Sequence, residues 1–249
     1  MGQIPSEQKK STIKLIYKGR GDTCNLNAYR GIALESNALK LLTRILAKRV
    51  ASMLDLVLPE DYRPGRSTLL EAGSLLQHIR TELKKSRGKL YAVFVDYSKA
   101  YDLVNRKLTI NKLEELIGRT KLTMLISNIL ADNQIQINDG IGKSHWLIQT
   151  NGVLQGDPLS PILFNALTHD VGAKIKEETD TVIYMYADDM ALVSDTIPDL
   201  QKAVDLLSIS AQTNEIKINE VKTELVIFRK GGNWQNQREL SATGNIFKE

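Results

Sequence analysis

Three aspartates have the type and spacing to do chemistry in this sequence. Asp188 and Asp189 are adjacent and lie between two short apolar runs, Val182 to Met185 and Met190 to Val193. That order reads as a tight β-hairpin with paired carboxylates at its tip. Asp96 ends another apolar stretch, Lys89 to Val95, which reads as a buried strand. Carboxylate oxygens are the ligands that hard cations such as Mg²⁺ take. Three carboxylates gathered at strand ends could hold two divalent ions about 3.5–4 Å apart, an arrangement that activates an attacking oxygen and steadies a leaving one in phosphoryl transfer. Each aspartate taken alone has a plainer reading, because Asp is common in turns and at strand ends for backbone reasons.

A second stretch, Gly152-Val153-Leu154-Gln155-Gly156-Asp157-Pro158-Leu159-Ser160-Pro161, has a glycine that lets backbone approach a ligand and a Ser-Pro start for a helix. Taken alone it is a loop that opens a helix. Asp102 and Asp157 read as structural, in a strand-to-helix turn and in that loop. His145, His169 and Cys24 show no metal-ligand spacing.

The elements that must position these groups follow from periodicity. Residues 12–17 read as a strand followed by a turn at Gly19 and Gly21. Residues 37–57 read as a helix with Leu42, Leu46, Val50, Met53 and Val57 on one face and Lys40, Arg44 and Lys48 on another. That basic stripe reads first as a solvated face. Thr68 and Glu71 form a capping box for a helix to residue 85, and Asn105 caps another to residue 117. A helix over 121–130 and a hairpin follow, the hairpin built from 134–138, Asp139-Gly140 and 145–148. Ser160 and Pro161 open a helix to residue 177, and 199–212 is a further helix. Residues 224–229 are a last strand, and the tail from 230 reads as loose. The fold class is α+β, with an antiparallel sheet and helices on one side of it.

The 249 residues are 42% hydrophobic and 25% charged, ordinary values for a globular chain able to bury a core. No apolar run approaches the roughly 20 residues of a membrane helix, and no secretory signal opens the chain. One cysteine excludes an internal disulfide framework and fits a reducing compartment, so an intracellular protein, nuclear or cytoplasmic, is expected. Net charge is +4, with an isoelectric point near 9.0, compatible with nucleic acid. Lys9, Lys10, Lys14, Lys18, Arg20 and Arg30 crowd the N-terminal segment against Glu7 and Asp22. Aromatic content of 6% leaves base stacking a small part in gripping a strand, so lysine and arginine contacts to the backbone must carry affinity.

Six stretches in order complete the pattern: Asn27 to Leu34 (NAYRGIAL), Arg63 to Thr68 (RPGRST), Asp96 to Asp102, Leu154 to Asn165, Tyr186 to Asp189, and Asn219 to Glu224. With them the chain resembles the reverse transcriptases of non-LTR, LINE-like retrotransposons. The resemblance implies a right-hand polymerase with fingers over 1–89, palm over 90–229 and a C-terminal tail over 230–249. It implies that Asp96, Asp188 and Asp189 are the catalytic and metal-binding carboxylates, holding two Mg²⁺ ions with Mn²⁺ as the substitute. Tyr101 matches the aromatic under the incoming sugar, where a ring excludes a ribose 2′-hydroxyl, and a core aromatic is the compatible plain reading. Gln155 and Gly156 match the loop at the nascent base pair. Lys18 and Arg30 match the cations on the triphosphate, although other lysines could serve for Lys18. Lys222 matches a lysine that protonates the leaving pyrophosphate, or is an ordinary surface lysine. The implied partners are an RNA template, a DNA primer and deoxynucleoside triphosphates; protein partners are not implied.

The chain departs from the family at Leu58 to Arg63, where the loop before the RPGRST motif is short and a family glycine has no counterpart. It also ends at Glu249, within the hairpin that should lead to the thumb, so a chain truncated before the thumb is expected. The alternative to an active polymerase is a catalytically silent retroelement remnant that at most binds nucleic acid.

Overall fold

Thr12, Ile13, Ile16 and Tyr17 are residue types that suit a pleated, half-buried surface, and they lie in the first strand, β1 (Lys10–Tyr17). The computed structural model describes residues 4–57, 68–85, 88–186, 189–230, 241–242 and 245–246, with backbone alone for 68–71, 186 and the last four. Outside it fall the shortened loop and most of the RPGRST motif, together with Ala187, Asp188 and most of the tail. The chain divides into two compact units: Met1–Met53 with Tyr101–Ala166, and Leu54–Ala100 with Leu167–Glu249.

In the first unit β1 pairs antiparallel with β2 (Tyr29–Leu34), from Thr12↔Leu34 to Tyr17↔Tyr29. On its other side β1 pairs parallel with β4 (Gln134–Asn138), from Lys10↔Gln134 to Lys14↔Asn138. A two-residue edge strand, β5 (Leu147–Ile148), completes the order β2-β1-β4-β5. Asp139 makes the turn before it, its Oδ1 accepting from the amides of Ile141 and Gly142 at 2.9 and 2.8 Å. Those two amides hold the exposed carboxyl below its ordinary pKa. This sheet, its strand β2 and its parallel pair are not in the sequence reading, which has one antiparallel sheet.

Helix α1 (Asn37–Leu54) is capped by Ser36, whose Oγ accepts from Leu39 N at 3.1 Å. Leu39, Thr43, Leu46, Ala47, Val50 and Leu54 form its buried face. The helix ends at Leu54, short of the expected 57, and Val57 is exposed. Helix α3 (Arg106–Ile117) is capped by Asn105 as expected, and α4 (Lys121–Leu130) by a reciprocal Thr120–Thr123 box. The buried Lys9 ammonium donates to the carbonyls of Asn128 and Ala131 at 2.6 and 3.1 Å, placing a cation at the negative end of α4.

The second unit is built on an antiparallel sheet of order β6-β7-β3-β8. Its strands are β3 (Lys89–Val95), β6 (Val182–Tyr186), β7 (Asp189–Ser194) and β8 (Glu224–Arg229). Leu90, Ala92, Ala191 and Val193 form one buried face, against Leu75 and Ile79 of α2 (Thr68–Lys84). Val93, Val95, Met190 and Leu192, the alternate residues, are buried as well. Helix α6 (Ile197–Thr213) lies against β3 and β7. Burial of residues on both faces of β3 and β7 explains why these strands read as nearly continuous apolar runs. Thr196 caps α6 through Asp199 N at 3.2 Å. Of the tail expected to be loose, β9 (Ser241–Ala242) and β10 (Asn245–Ile246) form a short antiparallel ladder. Helix α5 (Ser160–Glu178) begins in the first unit and continues in the second.

Candidate active site

Register brings two of the three aspartates to neighbouring strand ends. Val95 of β3 pairs with Met190 of β7. One step further along the antiparallel ladder stand Asp96 and Asp189. Asp189 also pairs with Tyr186 across the β6–β7 hairpin, so it stands at the turn end of β7. Asp188 lies outside the described residues. Among those described, no three His, Cys, Asp or Glu side chains converge as a cation cage.

Asp96 is held from three sides by the turn that leads into β8. Its amide donates to Thr223 Oγ1 at 3.2 Å, and its carbonyl accepts from Asn219 N at 2.7 Å. Its Oδ2 accepts from Asn219 Nδ2 at 2.8 Å and stands 3.4 Å from Lys222 Nζ. Asn219 O in turn accepts from the amides of Lys222 and Thr223 at 3.1 and 2.9 Å, closing the turn. Both side-chain contacts therefore fall on Oδ2, and Oδ1 has no partner among the described residues. A half-exposed carboxylate with one oxygen fixed by protein and one open suits an oxygen-seeking divalent cation. Lys222 is expected from the sequence and Asn219 is not, its one signal being an amide three residues before the lysine.

The first unit carries a cleft of about 470 Å³ lined by Tyr101, Gln155, Gly156 and Asp157, with Lys40 and Arg44 on its wall. Tyr101 is seated against the fully buried Phe164, ring centroids 5.9 Å apart. Gln155 O accepts from Ala33 N at 2.9 Å, fastening the loop to β2. Gly156 has φ +107°, a conformation that side-chain-bearing residues rarely adopt. Asp157 Oδ1 accepts from Leu159 N at 2.6 Å, which is the structural role expected of it. Ser160 differs from its expected part as a cap: its hydroxyl donates to Leu154 O at 2.8 Å and the helix already includes it. Lys40 and Arg44, read from the sequence as a solvated stripe, line the same cleft as Tyr101 and Gln155. Only position in the fold separates them from Lys48, which is exposed elsewhere on the helix.

Lys18 and Arg30 lie on the β1–β2 hairpin and are exposed. Lys18 Nζ donates to Asn27 O at 2.9 Å, and Arg30 pairs across the ladder with Ile16. Neither lines the cleft.

The family described as reverse transcriptase (RNA-dependent DNA polymerase) matches residues 9–245. A type-1 R2 retrotransposable-element Pol polyprotein from Popillia japonica is 32% identical over 207 residues, 78% of this chain and 29% of that protein. An R2 Pol polyprotein from Nasonia vitripennis is 27% identical over 228 residues, covering 87% of this chain and 22% of that protein. A probable RNA-directed DNA polymerase from transposon BS of Drosophila melanogaster is 27% identical over 237 residues, covering 88% of this chain and 26% of that protein. This chain thus spans less than a third of each of these relatives. Among solved structures, apo telomerase from Candida tropicalis truncated from its C-terminal domain superposes with a TM-score of 0.66 at 16% identity, over 98% of this chain and 54% of that one. At that identity the likeness speaks for the fold.

Proposed function

The chain belongs to the reverse transcriptase (RNA-dependent DNA polymerase) family, and from that premise we propose that it carries the nucleotidyl-transfer core of a non-LTR retrotransposon polymerase. The reaction is addition of deoxynucleoside triphosphates to a primer 3′-hydroxyl under an RNA template. The observation that carries this reading is Asp96 at the ladder step beside Asp189, with one carboxylate oxygen clamped and the other without a partner among the described residues.

The family uses divalent metal ions. Asp96, Asp188 and Asp189 are the residues that would hold them, as two Mg²⁺ ions, with Mn²⁺ as substitute. Bound there, the ions would acidify the primer hydroxyl and neutralise charge on the phosphates. The chain's own residues do the rest. Asn219 fixes the orientation of Asp96. Lys222, 3.4 Å from Asp96 Oδ2, supplies a proton to the leaving pyrophosphate. Tyr101, backed by Phe164, excludes a 2′-hydroxyl. Gln155 and Gly156 meet the nascent base pair, and Lys18 and Arg30 draw in the triphosphate. Residues 1–89 serve as fingers and 90–229 as palm.

Extension of an oligo(dT) primer on poly(A) with dTTP and Mg²⁺ tests the reading. Primer growth that is lost in Asp188→Ala is expected. Absence of growth with both Mg²⁺ and Mn²⁺ would leave the chain a silent relative of polymerases, one that at most binds nucleic acid.

A further inference from the structure

Two carboxyl groups face each other behind the turn that carries Gln155 and Gly156. Glu35, at the junction of β2 and α1, is hydrogen-bonded to Asp157. Both line a small cavity of about 20 Å³, closed in part by Thr43 of α1, Arg106 of α3, Asn133 and Ser160. Asp157 is already engaged by Leu159 N at 2.6 Å, and its carbonyl accepts from Ser160 N at 3.2 Å. The second oxygen of Glu35, Oε2, is buried without a partner among the described residues.

Two ionised carboxylates in contact in a poorly solvated space repel, and one proton between them turns repulsion into a donated hydrogen bond. Burial first, and then Asp157, push the Glu35 carboxyl up to about 8, against the opposing pull of Lys40. Among the described residues the charged groups around the pair are Lys40, Arg44 and Arg106, whose Nη2 is buried without a partner. Arg106 directs Nε to Gly152 O at 2.7 Å and Nη1 to the carbonyls of Gln149 and Leu130.

We propose that Glu35 is a positioning residue, which as the neutral acid donates to Asp157 and holds the Gln155–Gly156 turn in the shape that receives the nucleotide. The Ala33–Gln155 backbone bond fastens the same turn to β2, the strand that Glu35 follows. Loss of the Glu35 proton sets two negative charges against each other directly beneath the turn. Nucleotide affinity therefore falls with rising pH, independently of the chemical step. The inference rests on the proposed role of Gln155 and Gly156 at the nascent pair.

Two measurements on the wild type, Glu35→Gln and Glu35→Ala decide it. The first is the thermal midpoint between pH 5 and 9. The folded state keeps a proton that the unfolded chain loses near pH 4.5, so wild-type stability falls as pH rises to about 8 and levels off above it. Glu35→Gln, which donates without ionising, gives a flatter curve. Parallel curves for the two proteins would overturn the shared proton, whether or not the chain polymerises. The second is KM for dTTP in primer extension. Wild-type KM rises severalfold between pH 7 and pH 9 while kcat follows its own profile. Glu35→Gln removes the rise and Glu35→Ala shows raised KM throughout. A wild-type KM profile shared by Glu35→Gln overturns positioning and leaves the pair purely structural. Absence of extension in every variant counts against the polymerase reading, and with it the positioning role, while the thermal curves still decide the proton.

Discussion

Asp96 shows how the chain divides the two oxygens of one side chain. Asn219 and Lys222 both address Oδ2, at 2.8 and 3.4 Å, and Oδ1 has no partner among the described residues. Groups that orient a metal-binding carboxylate typically carry about 10–100-fold of metal affinity or activity. Asn219→Ala should therefore raise the Mg²⁺ concentration for half-maximal extension by about that factor. Calorimetric Mn²⁺ titration of the same variant should show the weakening without any reaction, and an unchanged Mn²⁺ affinity would remove Asn219 from the site. Tyr101 offers a second check. Its ring is braced by Phe164, so Tyr101→Ala should raise incorporation of ribonucleotides relative to deoxynucleotides while leaving Tyr101→Phe selective. Both residues show what a sequence can carry. Tyr101 stands out in the sequence through its motif, and the structure seats it in the cleft beside Gln155. Asn219 is in a motif too, yet its partner Asp96 is 123 positions away, and spacing along the chain holds no record of that contact.

Elements set these residues in place, and some were easier to read than others. Strand β3 and the β6–β7 hairpin are legible because most of their apolar residues are buried, Phe94 and Val182 excepted, which leaves nearly unbroken apolar runs. Their register then carries Asp96 to Asp189 with no further information. Strand β2 is obscured by Gly31 and by mixed burial, and the parallel β1–β4 pair joins segments more than a hundred residues apart. Helix α1 ends at Leu54, before the 57 that periodicity suggests, because Val57 continues the apolar period yet is exposed among the described residues. The segment before Gln155 is held by a buried arginine that the sequence does not single out. Arg106 donates to the carbonyls of Gly152, Gln149 and Leu130, and burial pushes its guanidinium down to about 10, still protonated at neutral pH. Arg106→Met should cost about 2–4 kcal/mol in urea unfolding, since several buried carbonyls lose their donor at once. Gly152 is the other fixed point of this segment. Its φ is +79°, and a Cβ there would stand 2.7 Å from Asp102 O.

For the whole molecule, net charge is +4. Lys40 and Arg44 sit on the wall of the cleft with Tyr101 and Gln155. If both neutralise phosphates, Lys40→Gln with Arg44→Gln should lower the slope of log affinity against log salt for a single strand by about 1.4, roughly 0.7 per contact. The chain spans between 22% and 29% of the R2 and BS relatives it matches, so its share of their activity rests on whether its own carboxylates act. Primer extension on an RNA template, with wild type beside Asp96→Asn under one set of Mg²⁺ and Mn²⁺ concentrations, asks that directly. Wild type should extend the primer and Asp96→Asn should leave it unextended with either metal while still binding the primer–template. Extension by Asp96→Asn at a rate close to wild type would contradict the account.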